Sequence, residues 1–564
     1  MADGDEQGAA AGGASAAVVD AAVDHRGRPA SRASTGGWKS ASFIIAVEIA
    51  ERFSFYGVSA NLITFLTGPL GEEVAAAAAA INAWNGTAQL LPLLGGTLAD
   101  SWLGRYRTIV LASLVYILGL GMLAFSTLLS SGSGHQCTTA GGQTQTCAPS
   151  TLKVTFFYVS LYIVAVAQGG HKPCVQAFGA DQFDQSDPKE TVSRSSFFNW
   201  WYFGMCAGTA VTLVLLSYVQ DNIGWGLGFG IPCAVMAAAL AVFLLGTRTY
   251  RYYVTTAGEW GLFARVAEAF AEWRRRRKAL QHGDRPAAEG APGFSAGVDE
   301  EEQAAVSNNA GLVKEAKAII RLFPIWATCL LYAVAFSQSS TFFTKQAATL
   351  DRRVGRHGLQ VPPAALQSFI SITIVVFIPI YDRVLVPVSR LYSGKPSGIT
   401  MLQRIGTGMF LSLLSMVIAA LVEKHRLGVA RDAGLVDKPK VPLPMSLWWM
   451  VPQYVLFGAA DVFTVVGLQE FFYDQVPDKL RSLGLALYLS IFGVGSFISS
   501  ALVSVIDRVT TARGGSWFSN NLNRGHVDYF YWLLASLSAV ELLAYVFFAV
   551  TYKYKNKGAV HATV

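Results

Sequence analysis

Charged residues are scarce in this sequence: they account for 14% of its 564 residues, whereas hydrophobic residues account for 52%. Cysteine is scarce too, and the six cysteines show no spacing typical of metal ligands. Two of them, Cys137 and Cys147, lie close together, and the sequence leaves open whether they form a disulfide. The sequence also lacks a metalloprotease motif and a nucleotide-binding motif. We therefore expect no cofactor, no bound metal and no enzymatic activity, and the apolar excess indicates a membrane protein.

Long apolar stretches recur along the chain, each with the roughly 20 residues that a transmembrane helix needs. Six such stretches precede a long polar segment and six follow it. They lie near 43–66, 78–99, 108–129, 153–175, 196–219 and 227–247, and near 322–344, 363–388, 399–421, 445–469, 482–506 and 529–551. This plan predicts an all-α membrane protein of twelve transmembrane helices in two related six-helix halves, with a site between the halves at the membrane midplane.

The polar segments set the predicted domain boundaries. Residues 1–42 are rich in Ala and Gly and lack the hydrophobic core of a signal peptide, so we expect a disordered cytoplasmic tail. In the linker, residues 260–273 have apolar residues at three- and four-residue steps and precede a basic run. This pattern predicts an amphipathic helix on the membrane lipid, with a calmodulin-type partner as the alternative. The predicted units are the tail 1–42, the bundle 43–247, the cytoplasmic linker 248–320, the bundle 321–551 and the cytoplasmic tail 552–564.

The formal net charge of +7 does not indicate nucleic-acid binding, because the basic residues lie where a membrane protein places them. In the first half, the loops at Arg105 and Lys189 are basic, whereas segments 67–77, 130–152 and 220–226 contain no Lys or Arg. The positive-inside rule then places both termini in the cytoplasm. The second half fits this rule badly. Its predicted outside loops contain Lys345, Arg352, Arg353, Arg356, Lys424, Arg426, Arg431, Lys438 and Lys440.

Three charged residues lie near the start of the first apolar stretch: Glu48, Glu51 and Arg52. A charge at bilayer depth costs roughly 2.5–3.5 kcal/mol, so these residues need a reason to be there. Glu48 precedes Arg52 by four residues, which favours an ion pair on one helix face. One carboxylate can thus neutralise the arginine and leave the other as a spare acid. A buried carboxylate with a switchable partner suits a proton relay, and a structural ion-pair cluster between helices is the alternative.

Two further motifs have a recognisable form. The segment from Gly96 to Arg105, Gly-Thr-Leu-Ala-Asp-Ser-Trp-Leu-Gly-Arg, directly follows the second stretch and resembles the signature loop of the major facilitator superfamily. Its Asp100 and Arg105 can form charged contacts at helix ends and are predicted to act in a conformational gate. In the fourth stretch, Gly-Gly-His-Lys172-Pro-Cys places a lysine inside a span, where it needs a carboxylate such as those of the first stretch.

Together with Glu48-x-x-Glu51-Arg52-Phe-Ser-Phe-Tyr56-Gly, these motifs resemble the proton-coupled oligopeptide transporter family, and most of all its plant nitrate/peptide branch. The resemblance covers about residues 43–555 and implies a major facilitator fold. It also implies that the charged trio couples protons, with Lys172 as the partner whose ion pair forms and breaks during transport. Other segments that agree begin at Phe197 (Phe-Phe-Asn-Trp-Trp), Phe336 (Phe-Ser-Gln-Ser-Ser-Thr-Phe-Phe), Ile380 (Ile-Tyr-Asp-Arg) and Gly467 (Gly-Leu-Gln-Glu-Phe-Phe-Tyr-Asp).

The resemblance implies a substrate site lined by Tyr56, Phe336, Gln338 and Asp461. Asp461 falls where related peptide carriers use a glutamate to hold the peptide amine. Phe336 stands where the best-known plant nitrate carrier of the family has a histidine, and Ser59 stands where bacterial peptide carriers have an arginine for the peptide carboxylate. The substrate is therefore open between nitrate, a di- or tripeptide and another small metabolite.

The sequence thus predicts a proton-coupled symporter that works by alternating access in the plasma or vacuolar membrane. Its partners are a small-molecule substrate, protons and membrane lipid, with no nucleic acid. Thr108 matches the phospho-switch threonine of the plant nitrate carrier and is a candidate phosphorylation site. The alternative is a match in sequence without that function. A ligand-sensing receptor of the same fold is the rival function. An intramembrane protease using Asp461 lacks a second aspartate at comparable depth.

Overall fold

The computed structural model describes most of the chain between residues 18 and 552. The described ranges are 18–131, 136–138, 144–146, 151–184, 186–253, 271, 274–275, 316–354, 358–393, 399–476 and 481–552. The predicted amphipathic helix over 260–273 lies almost wholly outside these residues, as do the side chains of Cys137 and Cys147.

The first half consists of long helices joined by short turns. The first apolar stretch is divided between two helices, because α1 ends at Ser59 and α2 starts after a brief turn. Asp187 caps α6, since its carboxylate accepts a hydrogen bond from the Lys189 amide while Pro188 occupies the first helical position. The helices are α1 (Gly37–Ser59), α2 (Leu62–Thr67), α3 (Val74–Leu98), α4 (Arg105–Ser131), α5 (Thr151–Ala180), α6 (Pro188–Asn222) and α7 (Trp225–Leu245), with short helical turns at Ala99–Leu103 and Gly246–Arg248.

The second half begins with a broken helix. The segments Ala316–Ala327 and Leu330–Ala348 meet at a bend of 40°. A capping box starts α13: the Thr400 side chain accepts from the Gln403 amide, and the Gln403 side chain accepts from the Thr400 amide. The helices are α8 (Ala316–Ala327), α9 (Leu330–Phe336), α10 (Phe342–Ala348), α11 (Ser368–Ile380), α12 (Val386–Ser393), α13 (Met401–Asp432), α14 (Val451–Gln475), α15 (Arg481–Ala512) and α16 (Val527–Thr551), with short helical turns at Ser337–Ser339, Pro363–Gln367, Tyr381–Leu385 and Leu447–Met450.

The helices match the twelve predicted spans. Among the described residues, nine helical segments are long and apolar enough to cross a membrane, and the bent α8–α10 unit makes a tenth. The remaining two spans are α1, which carries the charged trio, and the alanine-rich α3. On α4, Leu111, Leu114 and Leu118 recur at three- and four-residue steps and are exposed, as expected of a surface that faces lipid.

Residues 18–31 form two strands, although the composition predicted disorder as far as residue 42. These strands, β1 (Val18–Val23) and β2 (Pro29–Ser31), pair antiparallel with each other, and β1 pairs with β5 (Tyr252–Tyr253) beyond α7. Val19, Ala22 and Ala30 form a small buried cluster. The prediction of disorder is wrong here, because a strand far away in the sequence supplies the partner. The strands are β1 (Val18–Val23), β2 (Pro29–Ser31), β3 (Gln136–Thr138), β4 (Thr144–Thr146), β5 (Tyr252–Tyr253), β6 (Leu350–Asp351), β7 (Arg353–Val354), β8 (Leu359–Gln360) and β9 (Leu443–Ser446).

An ion pair fastens this small sheet to the loop between α5 and α6. Arg32 Nη2 lies 2.5 Å from Asp184 Oδ2. Burial alone would raise the pKa of Asp184, but hydrogen bonds from Arg32 and Ser186 lower it to about 2. The Gly36 amide donates to the Thr249 carbonyl at 2.8 Å. The start of α1, the α5–α6 loop and the segment after α7 are thus held together.

Some basic residues that fit the positive-inside rule badly have internal partners. Arg426 is fully buried, and its Nε and Nη2 each donate to a Glu423 carboxylate oxygen at 2.7 Å. Lys345 Nζ donates to Thr67 Oγ1 at 2.8 Å. The first pair lies within α13 and the second contact joins two helices, so internal contacts account for these two cations without the loop-charge bias.

Candidate functional site

Three charged side chains of α1 form a compact buried cluster. Arg52 Nε lies 3.1 Å from Glu48 Oε1, and Arg52 Nη2 lies 2.5 Å from Glu51 Oε2. All three residues are at most 4% exposed. Tyr116 of α4 donates its hydroxyl to Glu51 Oε1 at 3.4 Å. The Glu48–Arg52 pair is present as expected, but Glu51 is not spare, because one guanidinium contacts both carboxylates. With both carboxylates ionised, the cluster carries one negative charge in excess.

Lys172 of α5 lies beside this cluster without an ion pair to it. Its ammonium donates to Gln89 Oε1 of α3 at 3.0 Å. Within the described part of the chain, no salt bridge joins Lys172 to Glu48 or Glu51, whose short contacts go to Arg52. Lys172 nevertheless interacts electrostatically with both carboxylates. Its positive charge offsets the negative excess of the cluster, so the four ionised side chains are neutral together.

Sequence reasoning missed three buried polar residues on the helices that carry Tyr116 and Lys172: Ser113 of α4, and Gln168 and His171 of α5. All are fully buried. The hydroxyl of Ser113, both amide atoms of Gln168 and both ring nitrogens of His171 lack hydrogen-bond partners among the described residues. The His171 ring meets Tyr116 edge-on, with 6.4 Å between ring centroids. Such unpartnered groups are uncommon in folded proteins. The one feature of the sequence that could have indicated this polar group was a histidine directly before Lys172 inside a predicted span.

In the second half, Asp461 of α14 is buried and accepts a hydrogen bond from the hydroxyl of Tyr332 in α9. Tyr56 of α1 and Tyr488 of α15 interact electrostatically with Asp461. Tyr56 interacts with Arg52 as well, so it lies near both the charged cluster of one half and the carboxylate of the other. The structure therefore brings Tyr56 and Asp461 together. Tyr332 and Tyr488 were not predicted, because in sequence a tyrosine within a span looks like any packing residue.

The other two predicted substrate residues have different surroundings. Phe336 is half-buried and packs edge-on against Phe457 and Phe492, at centroid distances of 6.3 and 6.1 Å. Gln338 is fully buried, and its amide nitrogen donates to a backbone carbonyl and to Ser499 Oγ at 2.7 and 3.0 Å. Because both of these donors are used, Gln338 stabilises helix packing in this state and has little left to offer a solute.

The predicted gate motif is only partly described. Arg105 Nη1 lies 2.6 Å from Asp181 Oδ2 and so ties α4 to the end of α5. The side chain of Asp100 lies outside the described part of the structure. Thr108 is buried, and its hydroxyl donates to the Gly104 carbonyl at 3.0 Å. Phosphorylation of Thr108 would therefore require this turn to open. Among the described residues, no group of three or more His, Cys, Asp or Glu side chains is placed to hold a metal ion.

Polar contacts between the two halves cluster at the end of the bundle where α1 ends. Gln367 Nε2 donates to the Ala60 carbonyl at 2.9 Å, beside the Lys345–Thr67 contact. These contacts hold the halves together at this end. Two more join the Val74 amide to Asn520 Oδ1 at 3.1 Å and Arg352 Nη1 to Asp221 Oδ2 at 3.8 Å.

Solved structures show which class this architecture belongs to. The fold is similar to that of an auto-inhibited POT family peptide transporter, with a TM-score of 0.68 at 21% identity over 92% of this chain and 98% of that one. The POT family transporter PepTSo gives a TM-score of 0.66 at 21% identity, over 91% and 98% of the two chains. At these identities the likeness establishes the fold alone. It confirms the predicted twelve-helix major facilitator fold.

Sequence comparisons identify the family. The PTR2 model, described as the POT family, matches residues 106–520. Protein NRT1/PTR FAMILY 5.10 of Arabidopsis thaliana is 55% identical over 548 residues, which are 95% of this chain and 96% of that relative. Protein NRT1/PTR FAMILY 5.15 of the same plant is 49% identical over 557 residues, 95% and 97% of the two chains. The chain belongs to the POT family of transporters. It is a multi-pass membrane protein and not an enzyme.

Proposed function

We propose that this protein is a proton-coupled secondary active symporter that moves a small solute by alternating access. The observation that carries the proposal is the α1 cluster, in which Glu48 and Glu51 share Arg52 while Lys172 is held nearby by Gln89. A buried carboxylate with a second cation within reach can exchange a proton for an ion pair. That exchange is the chemistry that proton coupling needs.

The charges suggest an order of events. When Glu48 or Glu51 takes up a proton, the cluster loses its negative excess and Lys172 gains nothing by approaching it. When the proton leaves, Lys172 can move from Gln89 to the free carboxylate. Coupling then requires that the proton and the solute together favour a conformation that neither favours alone.

The contacts between the two halves bear on which conformation of the proposed transport cycle is present. They lie at the end of the bundle formed by Ala60, Thr67 and Val74. If both termini are cytoplasmic, as the charged loops of the first half indicate, this end faces outward. The two halves would then be in contact with each other on the outer side. Rocking of the two halves would break these contacts and form others at the opposite end.

The solute is nitrate, a di- or tripeptide, or another small metabolite carried across the plasma or vacuolar membrane. Asp461 and the hydroxyl of Tyr56 provide polar groups, while Phe336 provides an apolar wall without a hydrogen bond. This balance suits an amine-bearing or neutral solute somewhat better than nitrate. Lys172 and Arg52 remain the groups that would attract an anion.

Transport by the purified protein in liposomes tests the proposal. An inward proton gradient should drive accumulation of at least one solute from a panel of nitrate, dipeptides and plant hormones, and a protonophore should abolish that accumulation. Exchange of solute without a gradient should persist, because the conformational cycle does not need net proton movement. Specific binding without accumulation under any gradient would instead support the receptor function.

A further inference from the structure

A buried carboxylate of the second half, Glu541 in α16, takes no part in the proposed proton site. It is 7% exposed. Glu541 Oε1 accepts a hydrogen bond from the Leu331 amide at 2.7 Å, and the Tyr332 amide also donates to this carboxylate. In the described part of the chain, no Lys, Arg or His forms a salt bridge with it. Backbone amides take the place that a cation would otherwise fill.

These amides belong to the break between α8 and α9. The helix is interrupted at Thr328 and Cys329, and its axis bends by 40° there. Amides directly after such a break lack the carbonyl that a continuous helix would place one turn earlier. Glu541 supplies the missing acceptor. The bend and the carboxyl group that accepts these hydrogen bonds therefore stabilise each other.

Tyr332 connects this break to the solute site. Its backbone amide donates to Glu541, and its side-chain hydroxyl donates to Asp461. Phe336 lies one turn further along the same short helix. The helix α9 thus carries Phe336 of the proposed solute site and Tyr332, which contacts Asp461 of that site, and Glu541 holds the start of this helix. A change in the bend would move Tyr332 and Phe336 together.

We propose that Glu541 is a positioning residue that takes up a proton and so sets the bend between α8 and α9. In the ionised form, the carboxylate binds both amides and keeps α9 in the observed place. In the protonated form, the negative charge is lost and one oxygen becomes a hydroxyl, so the amides are held weakly and the bend can relax. The proposal rests on the proposed symport, because it adds a second proton-dependent element in the half that carries Asp461.

The surroundings of Glu541 leave few competing groups. From the break, Cys329 interacts electrostatically with it and Tyr332 donates through its amide. Among the described residues, α10 and α13 also pack against α16. The one charged residue of α10, Lys345, donates to Thr67 Oγ1 at 2.8 Å. On α13, Arg404 donates to the Val462 carbonyl at 3.0 Å, and the fully buried Arg426 is paired with Glu423. The other charged side chains of this helix, Lys424, Arg431 and Asp432, are exposed or lie near its far end. Protonation of Glu541 would therefore act on the break and not on a salt-bridge network.

Hydrogen–deuterium exchange of the full-length protein in nanodiscs tests this role without a known solute. The measurement follows amides in peptides covering residues 328–336 over a pH series, after correction for intrinsic exchange. In the wild type, protection of these amides should fall as the pH is lowered. At the highest pH of the series, exchange in Glu541→Gln should be about tenfold or more faster than in the wild type, because a charge-assisted hydrogen bond is lost, and it should no longer depend on pH.

Matched variants separate this role from general packing. Tyr332→Phe keeps the amides but loses the hydroxyl, so the pH dependence of exchange should remain while solute binding changes. Ser538→Ala alters the same buried face of α16 one turn earlier and should leave exchange at the break unchanged. Should Glu541→Gln fail to fold, Glu541→Asp must show reduced protection of the amides at the break that still depends on pH. The shorter aspartate keeps a carboxyl group but holds it further from these amides.

Wild-type protection and pH dependence in Glu541→Gln, or full protection in Glu541→Asp, would overturn the proposal. The proposed symport has a separate readout. If exchange behaves as expected but the wild type accumulates no solute from the panel, proton-coupled transport fails while the positioning role of Glu541 stands.

Discussion

Lys172 in α5 donates a hydrogen bond to Gln89 in α3 at 3.0 Å. The acceptor is a neutral amide, so the ammonium can leave it without separating two opposite charges. A hydrogen bond to a charged group contributes about 1.5–3 kcal/mol, whereas breaking a buried ion pair on one side costs about 3–5 kcal/mol. In the proposed cycle, Gln89 would therefore hold Lys172 until a deprotonated carboxylate pairs with it.

Lys172→Ala should abolish proton-driven accumulation while the protein still folds. We expect a loss of stability of about 1.5–3 kcal/mol, the value of one charged hydrogen bond. The measurement is uptake in liposomes, paired with thermal unfolding in detergent. Gln89→Ala is the matched control, because it removes the holder but keeps the cation, and it should retain coupling. A well-folded Lys172→Ala protein with normal gradient-driven uptake would remove Lys172 from the mechanism.

Glu48→Gln and Glu51→Gln should each abolish accumulation but leave solute exchange. Glutamine keeps the shape of the side chain but cannot release a proton, so the cycle loses its coupling step. Uptake with and without a proton gradient distinguishes the two activities. Tyr116→Phe removes only the 3.4 Å contact to Glu51 and should have a much smaller effect. Wild-type pH dependence in both glutamine variants would show that these carboxylates do not carry the coupled proton.

Phe336→His should raise nitrate uptake relative to uptake of neutral solutes. Phenylalanine gives an anion neither a hydrogen bond nor a charge, whereas histidine offers both at about pH 5.5, one unit below its ordinary pKa. Labelled nitrate uptake by wild type, Phe336→His and the apolar control Phe336→Leu tests this. Robust nitrate uptake by the wild type that does not increase in Phe336→His would show that this position does not set substrate preference.

Arg32→Gln should loosen the sheet β2–β1–β5 in a pH-dependent manner. The pKa of Asp184 is lowered to about 2 from the ordinary 3.8, so its ion pair stabilises the folded sheet above pH 3.8 and this stabilisation is lost as the pH falls through 2. Exchange of β1 amides should be faster in Arg32→Gln than in wild type at neutral pH, and the difference should vanish near pH 2. The exposed Arg26→Gln serves as control. A difference that persists at the acid limit would contradict the pairing.

Arg426→Met should destabilise the protein by about 3–5 kcal/mol, because it leaves the fully buried Glu423 without a cation. The double variant Glu423→Gln with Arg426→Met removes both charges and should recover part of the loss. Thermal unfolding in detergent measures both effects. Equal unfolding temperatures for the single variant and the wild type would mean that the pair contributes nothing to stability.

The local sequence pattern was enough to predict the transmembrane spans and one ion pair. Apolar length fixes the number of helices, and four-residue spacing fixes the Glu48–Arg52 contact within one helix. The contacts of Lys172 and Asp461 were not predictable, because each involves a partner on another helix. Which polar residue becomes that partner depends on the rotation of each helix about its axis and on its depth in the membrane. A single sequence gives neither quantity. The strand β1 was missed for the same reason.

The Gly36 amide lies directly before the first helix of the first half, and it donates a hydrogen bond to the Thr249 carbonyl, which follows the last helix of that half. The course of the chain through the first half is therefore nearly circular. A protein whose ends meet in this way can often be reopened elsewhere without losing its fold. We expect the two ends of the first half, which are joined in the sheet β2–β1–β5, to stay together in any conformation that the protein adopts.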